Sequence, residues 1–434
     1  MQFYHDLGSQ VEIRWREKNY EDSVFPGIAS DALAEMDALK GPSPWEIICT
    51  LHQNLGLPTQ RDDKFSDLMV TLYNGPRFHI SAYYWLDGTT SLHQHSFSGA
   101  FQVLLGSSLH SRYSFRETHA INPHMSVGAI ILDHVQLLKK GDIRKILPGR
   151  QFIHSLFHLD RPSVTLTIRT HGNINALPQY DYLPPSLAID PFYEDSVTNR
   201  QIQSIKLLIR MRHQKVDSFV EQLVRSMDFQ TTFSILNVIH KFFSDTGDRV
   251  FLSEKGQERF NKLIDIAREK HGSLIDLLPP VFEELHRKMS LIDQRKIVIS
   301  NEHRYFLALL LNVPDKTRLL QLVEERFPGK DPVDTVCDWV QQLSTIKLPG
   351  SIEPNLVGIA DFDSLYLTVF RYSLQGLSLD QIERKLQEEG VLEKTKELWG
   401  SIQKMRNDLE NTNLLKTLLR EPRVAIASNL AAIA

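Results

Sequence analysis

The chain has 434 residues, 42% hydrophobic and 24% charged, so it is long enough for two or three domains and has the balance of a globular, water-compatible protein. A formal net charge of −4 removes the electrostatic reason to expect a nucleic-acid or anionic-membrane partner. With only Cys49 and Cys337, a disulfide framework and a thiolate metal site are excluded, and a reducing, cytoplasmic setting is expected.

The opening MQFYHDLGSQVEIRW lacks a basic stretch followed by an apolar run, and the apolar segments fall short of a membrane span, so neither export nor insertion is expected. Residues 1–64 are expected to be a helical lead-in, with Ser43 as N-cap and Pro44 at the first helical position. From 65 to 172 the texture changes to short runs rich in Val, Ile, Tyr, Phe and Thr. Asn74-Gly75, Asp87-Gly88, Gly106-Ser107, Gly141-Asp142 and Pro148-Gly149 punctuate them, which predicts many short antiparallel strands in a sandwich or barrel. Residues 173–196 hold four prolines without helical period and are expected to be an extended linker that wraps the barrel. Beyond them helical patterning dominates to residue 421. Val216, Phe219, Val220, Leu223, Val224 and Met227 share one helix face, Asp331-Pro332 starts a second stripe, and Ser378 with Gln381 forms a capping box. Residues 422–434 are expected to be a mobile tail. The fold class read from this order is α+β, a barrel followed by an all-α domain.

Histidine is uneven: 12 of the 17 lie at or before His171. In strand-like sequence a period of two puts His93 and His95 on one face. A later strand, entered after Gly141 to Gly149, brings His154, which a small barrel directs toward the first pair. Three neutral imidazoles suit iron, zinc, copper or nickel and leave open positions for substrate, water or dioxygen. An isolated His-x-His pair is more often the polar face of an edge strand.

The spacing of Gly88, His93, His95 and Gly106, then Gly141, Pro148, Gly149 and His154, resembles the two motifs of the cupin superfamily. Within it, RFHISAYYWLDGTTSLHQHSFSGAFQVLLGSSLHSRYSF and GDIRKILPGRQFIHSLFHLDRPSVTLTIRT look most like the cysteine dioxygenase group of thiol dioxygenases. The resemblance implies a double-stranded β-helix (jelly-roll) barrel over 65–172, with Fe(II) held by His93, His95 and His154; Zn, Ni or Mn are the other metals considered. The carboxylate ligand of many cupins falls near Gly99 here, so a three-histidine site is implied. Thr165, Thr167 and Arg169 stand where that group has a serine, a histidine and a tyrosine. Arg169 is the preferred anion clamp, with Arg77 and Arg112 as other candidates and an outward surface position as the competing reading. His158 replaces an asparagine and is read as ligand, pocket residue or hydrogen-bonded core. His110, Tyr83, Trp85, Phe97 and Phe101 are pocket candidates whose ordinary reading is barrel core, and His79 is as readily solvated.

The expected activity is therefore a metal-dependent oxygenase acting with dioxygen on a small anionic thiol or related chelating substrate. Two other readings are kept: a ligand-sensing or assembly module whose helical region works as a homodimer or through a protein partner, and a cupin enzyme of another class, isomerase or lyase. No phosphate-binding glycine loop, His-Glu-x-x-His motif or nucleophile elbow is present.

Overall fold

The structure is a computed structural model describing residues 1–53, 56–61, 65–86, 91–172, 178–244, 254–347, 354–390 and 396–419. Gly88 and the expected tail at 422–434 lie outside the described residues. The chain divides into two compact units, Met1–Tyr193 and Glu194–Ala434. The first is a β-barrel with a helical layer and the second is helical, so the α+β class is what the chain forms.

The first unit opens with α1 (Gln2–Glu17), α2 (Phe25–Met36) and α3 (Pro44–Gln53). The Ser43 hydroxyl accepts from the Glu46 amide while the Glu46 carboxylate accepts from the Ser43 amide, satisfying two donors at the start of α3. Among the described residues eleven strands follow: β1 (Leu68–Asn74), β2 (Phe78–Trp85), β3 (His93–His95), β4 (Gly99–Leu105), β5 (Ser108–Asn122), β6 (Met125–Leu138), β7 (Ile143–Ile146), β8 (Gly149–His158), β9 (Ser163–Thr170), β10 (Asp181–Leu183) and β11 (Leu187–Ile189). One sheet runs β1-β2-β9-β4-β7, and the strands β10-β11-β6-β5-β8-β3 close on themselves through the β10–β3 pair into a barrel.

The period of two along β2 and β9 sorts side chains between two cores. Phe78, Ile80, Ala82 and Tyr84, with Val164, Leu166 and Ile168, pack on Tyr4, Leu7, Val11, Trp15, Phe25 and Leu33 of the helices. The alternate residues Tyr83, Trp85, Thr165, Thr167 and Arg169 line the cavity that also holds His93, His95 and His154. The helical lead-in is thus the outer wall of the site-bearing sheet. Trp15 is 3% exposed, with ring centroids 4.4 Å from Phe25 and 6.4 Å from Phe78.

The expected linker is corrected by the sheet pairing. Within 173–196, β10 pairs with β11 and with β3 at Asp181↔His93, and β11 pairs with β6. The barrel therefore continues through Ile189. Pro178, Pro184 and Pro185 fall outside both strands, where a missing amide donor costs no ladder bond.

The second unit comprises α4 (Ser196–Arg210), α5 (Val216–Ser226), α6 (Phe229–Ser244), α7 (Glu254–His271), α8 (Leu278–Ile297), α9 (Asn301–Asn312), α10 (Lys316–Arg326), α11 (Pro332–Ser344), α12 (Ser364–Leu374), α13 (Leu379–Glu388), α14 (Lys396–Asn411) and α15 (Lys416–Leu419). Asp195, Asp331 and Ser378 cap α4, α11 and α13, and both bonds of the Ser378–Gln381 box are present. Every residue of α9 from His303 to Asn312 is buried, and Trp339 of α11 packs against its Phe306. Among the described residues no helix is long and apolar enough to cross a membrane.

Candidate metal centre

β3 is short because the chain turns sharply into and out of it, yet its three residues present His93 and His95 on one face. Across the ladder His93 pairs with His154 and His95 with Gly149, with a register shift between them. Gly149 has φ +63°, a conformation that costs glycine nothing and most residues about 1–2 kcal/mol. It opens β8 and sets its register. The ring centroids of His93, His95 and His154 are 4.5 to 5.0 Å apart, and one nitrogen from each falls within 4.8 Å of the others.

All three imidazoles are buried, at 1%, 6% and 4% exposure. Burial lowers the pKa of His93 to about 4, partly countered by its bond to the Ser91 carbonyl. Burial, then the neighbouring histidines, holds His95 and His154 well below 6.5. Neutral rings keep lone pairs free for a cation. His93 Nδ1 donates to the Ser91 carbonyl at 2.7 Å, which leaves the Nε2 lone pair facing inward with no hydrogen-bond partner. His95 Nε2 and His154 Nε2 are 2.9 Å apart. Two metal–nitrogen bonds of about 2.0–2.1 Å at a right angle place their nitrogens at about that separation. The orphaned Nε2 and this spacing fit a divalent transition-metal ion.

The cavity over the triad measures about 60 Å³. Phe65, Trp85, Phe97, Phe101, Ile146 and Leu156 supply apolar walls, and no carboxylate is among its described lining residues. Beyond the triad, its polar groups come from Tyr83, Thr165, Thr167 and Arg169. Thr165 Oγ1 accepts from Trp85 Nε1 at 3.4 Å. Arg169 donates from Nε to His79 Nε2 at 3.0 Å, with its guanidinium carbon 4.3 Å from the Phe97 centroid. It faces the pocket rather than outward solvent.

Other candidates fall elsewhere. Arg77 lies over the Tyr20 ring at 4.1 Å, on the lead-in side. Arg112 sits over Phe152 at 4.0 Å and donates to the Gln151 carbonyl, outside the cavity lining. Neither is among the described lining residues of the cavity: Arg77 precedes β2, and Arg112, although opposite His154 in the ladder, is drawn over Phe152. His158 stacks on Trp85 at 4.5 Å and meets Ser108 Oγ through Nδ1 at 3.1 Å, so it supports the pocket wall and is not one of the three histidines whose nitrogens converge. His110 does not line the cavity; its Nε2 reaches His154 Nδ1 at 3.0 Å from behind. His79, read as readily solvated, is 1% exposed and stacked on His171.

At Gly99 an added Cβ would lie 2.1 Å from the Ile168 carbonyl oxygen. β4 and β9 approach too closely there for any side chain, so the carboxylate used by many cupins has no place. Gln136 through a cross-strand bond to His110, Ser91 through its carbonyl two residues before His93, and Ile146 as part of the cavity wall also build the site's surroundings, and carried no signal in sequence.

No protein-family profile matches the chain, and no curated protein is significantly similar to it. Solved structures similar to part of it include an uncharacterised double-stranded β-helix protein from Klebsiella pneumoniae, at 16% identity over 26% of this chain and 84% of that one, TM-score 0.18. A cupin superfamily protein from Desulfitobacterium hafniense is 17% identical over 26% of this chain and 94% of that one, TM-score 0.18. Hydroquinone 1,2-dioxygenase from Sphingomonas sp. TTNP3 is 11% identical over 25% and 68%, TM-score 0.20.

Proposed function

We propose that the barrel unit is a ferrous-iron oxygenase of thiol-dioxygenase type, acting on a small thiol that carries a second, anionic group. The observation that carries this reading is a cavity holding three neutral imidazoles and one guanidinium with no carboxylate among its described lining residues. Bound to the triad, iron would supply the redox chemistry and a site for thiolate and dioxygen.

The chain's own residues supply the remainder. Three uncharged ligands leave the ion's charge uncompensated, which favours a thiolate over a thiol. Arg169, held by His79 and set over Phe97, presents its guanidinium to the cavity, where it would bind a carboxylate or similar anion. Thr165 and Thr167 offer hydroxyls beside it, and the aromatic wall excludes bulk water. The overall change, thiolate plus dioxygen to sulfinate, places both oxygen atoms on sulfur and balances without another reductant. The test is oxygen uptake by iron-loaded protein with small thiols bearing or lacking a carboxylate. Uptake with carboxylated thiols and sulfinate as product supports the reading; no uptake with any small thiol refutes it.

A further inference from the structure

Behind the triad, a chain of four side chains has its direction set by the one member that only donates. Arg144 Nη2 lies 3.0 Å from Gln136 Oε1. A guanidinium has no acceptor, so the amide oxygen must face it and the amide nitrogen is turned to His110 Nδ1, 3.0 Å away. An amide N–H facing Nδ1 needs a lone pair there, so buried His110 accepts at Nδ1 and carries its proton on Nε2. That proton is donated to His154 Nδ1 at 3.0 Å. With Nδ1 accepting, neutral His154 holds its own proton on Nε2, the nitrogen facing His95.

This tautomer is the opposite of what coordination through His154 Nε2 requires, because a ligating nitrogen must offer its lone pair. We propose that Arg144 and Gln136 form a latch that acts through His110 to hold His154 in the tautomer unfavourable to a cation, so that loading the site requires these hydrogen bonds to reverse. In the loaded arrangement His154 Nδ1–H donates to His110 Nε2, and His110 Nδ1–H donates to the Gln136 carbonyl. The amide must turn over, which would place its N–H2 against the Arg144 guanidinium, so Arg144 swings away. Its half-buried position on β7 permits that movement. One proton leaves His154 Nε2 for the pocket and one enters at His110 Nδ1, so the net proton count is unchanged. His110 is on this account a positioning residue, and Arg144 and Gln136 regulate how tightly the triad binds its ion.

The inference rests on the triad being a metal site, and substitutions with opposite expected signs separate the two claims. Gln136→Glu replaces the amide with a group that accepts from both Arg144 and His110, which turns the chain toward the loaded direction without moving the arginine. His110→Phe removes the acceptor that loaded His154 needs. Ferrous iron affinity is measured on the full chain under argon by competition with a chromophoric chelator. Gln136→Glu should bind about tenfold more tightly than wild type, and His110→Phe about 10–100-fold more weakly. A packing role alone would weaken both. Histidine-selective ¹⁵N spectra of metal-free wild type give a second readout needing no variant, and should show His154 protonated at Nε2. Wild-type binding with Gln136→Glu no tighter, or a His154 protonated at Nδ1, overturns the latch alone. A wild type that binds no iron overturns the metal reading and the latch with it.

Discussion

Acidification should destabilise the barrel unit in a way that one substitution isolates. His79 is buried with Nε2 accepting from Arg169, and burial, then the nearby Arg169 and Arg61 charges, lowers its pKa from 6.5 to about 2. The unfolded chain titrates the same ring near its ordinary value. Between those two values the unfolded state binds one more proton than the native state. Stability is therefore complete above about pH 6.5 and falls below it, by about 1.4 kcal/mol per pH unit for each such group. At about pH 5 His79 alone has removed about 2 kcal/mol. His93, lowered to about 4, and His110, lowered to about 3, act in the same direction. Against a usual total of about 5–15 kcal/mol, the combined loss is large. The assay is the urea midpoint of chelator-treated protein at a series of pH values, followed by tryptophan fluorescence. His79→Gln keeps an acceptor for Arg169 but does not titrate, so its stability should lose about 1.4 kcal/mol less per pH unit below pH 6. A wild-type midpoint that is flat or rises on acidification, or a His79→Gln slope equal to wild type, refutes the reasoning.

Three further outcomes are expected. Arg169→Met should lower kcat/KM for a carboxylated thiol by about 10–100-fold, the worth of a charged hydrogen bond of about 1.5–3 kcal/mol, while leaving iron content unchanged; steady-state oxygen uptake and metal analysis read both. Gly99→Glu should fail to create a fourth ligand and should lower the melting temperature, because its Cβ would collide with the Ile168 carbonyl. Trp15→Ala should cost about 3–5 kcal/mol in urea unfolding, although Trp15 lies far from the barrel strands in sequence, because it fills the wall between α1, α2 and β2.

Local periodicity made part of this site legible. The His-x-His spacing placed two rings on one face, and the alternation of Val164, Leu166 and Ile168 with Thr165, Thr167 and Arg169 separated the wall from the pocket before any fold was known. What the sequence left dark depended on which strands become neighbours. β10 and β11 are three residues each, too short to show a period and surrounded by proline, so the barrel's closing strands read as linker. Arg77 and Arg112 had the right chemistry, but Tyr20 and Phe152 draw them elsewhere, and nothing local encodes those contacts. The partnership of His79 with Arg169 spans 90 residues, and the Gln136–His110 bond forms only once β5 and β6 pair and set the two residues opposite each other. Gly99 was legible only as a missing carboxylate; the close approach of β4 and β9 supplies the physical reason.

The most direct test of the account is the metal itself. Wild type and the His93→Ala, His95→Ala and His154→Ala variants are loaded anaerobically with ferrous iron, desalted and analysed by elemental mass spectrometry, with circular dichroism as the check on folding. The account predicts one tightly held ion per wild-type chain and its loss in each folded variant. A wild type that retains no ion, or an ion retained undiminished in all three variants, would contradict it.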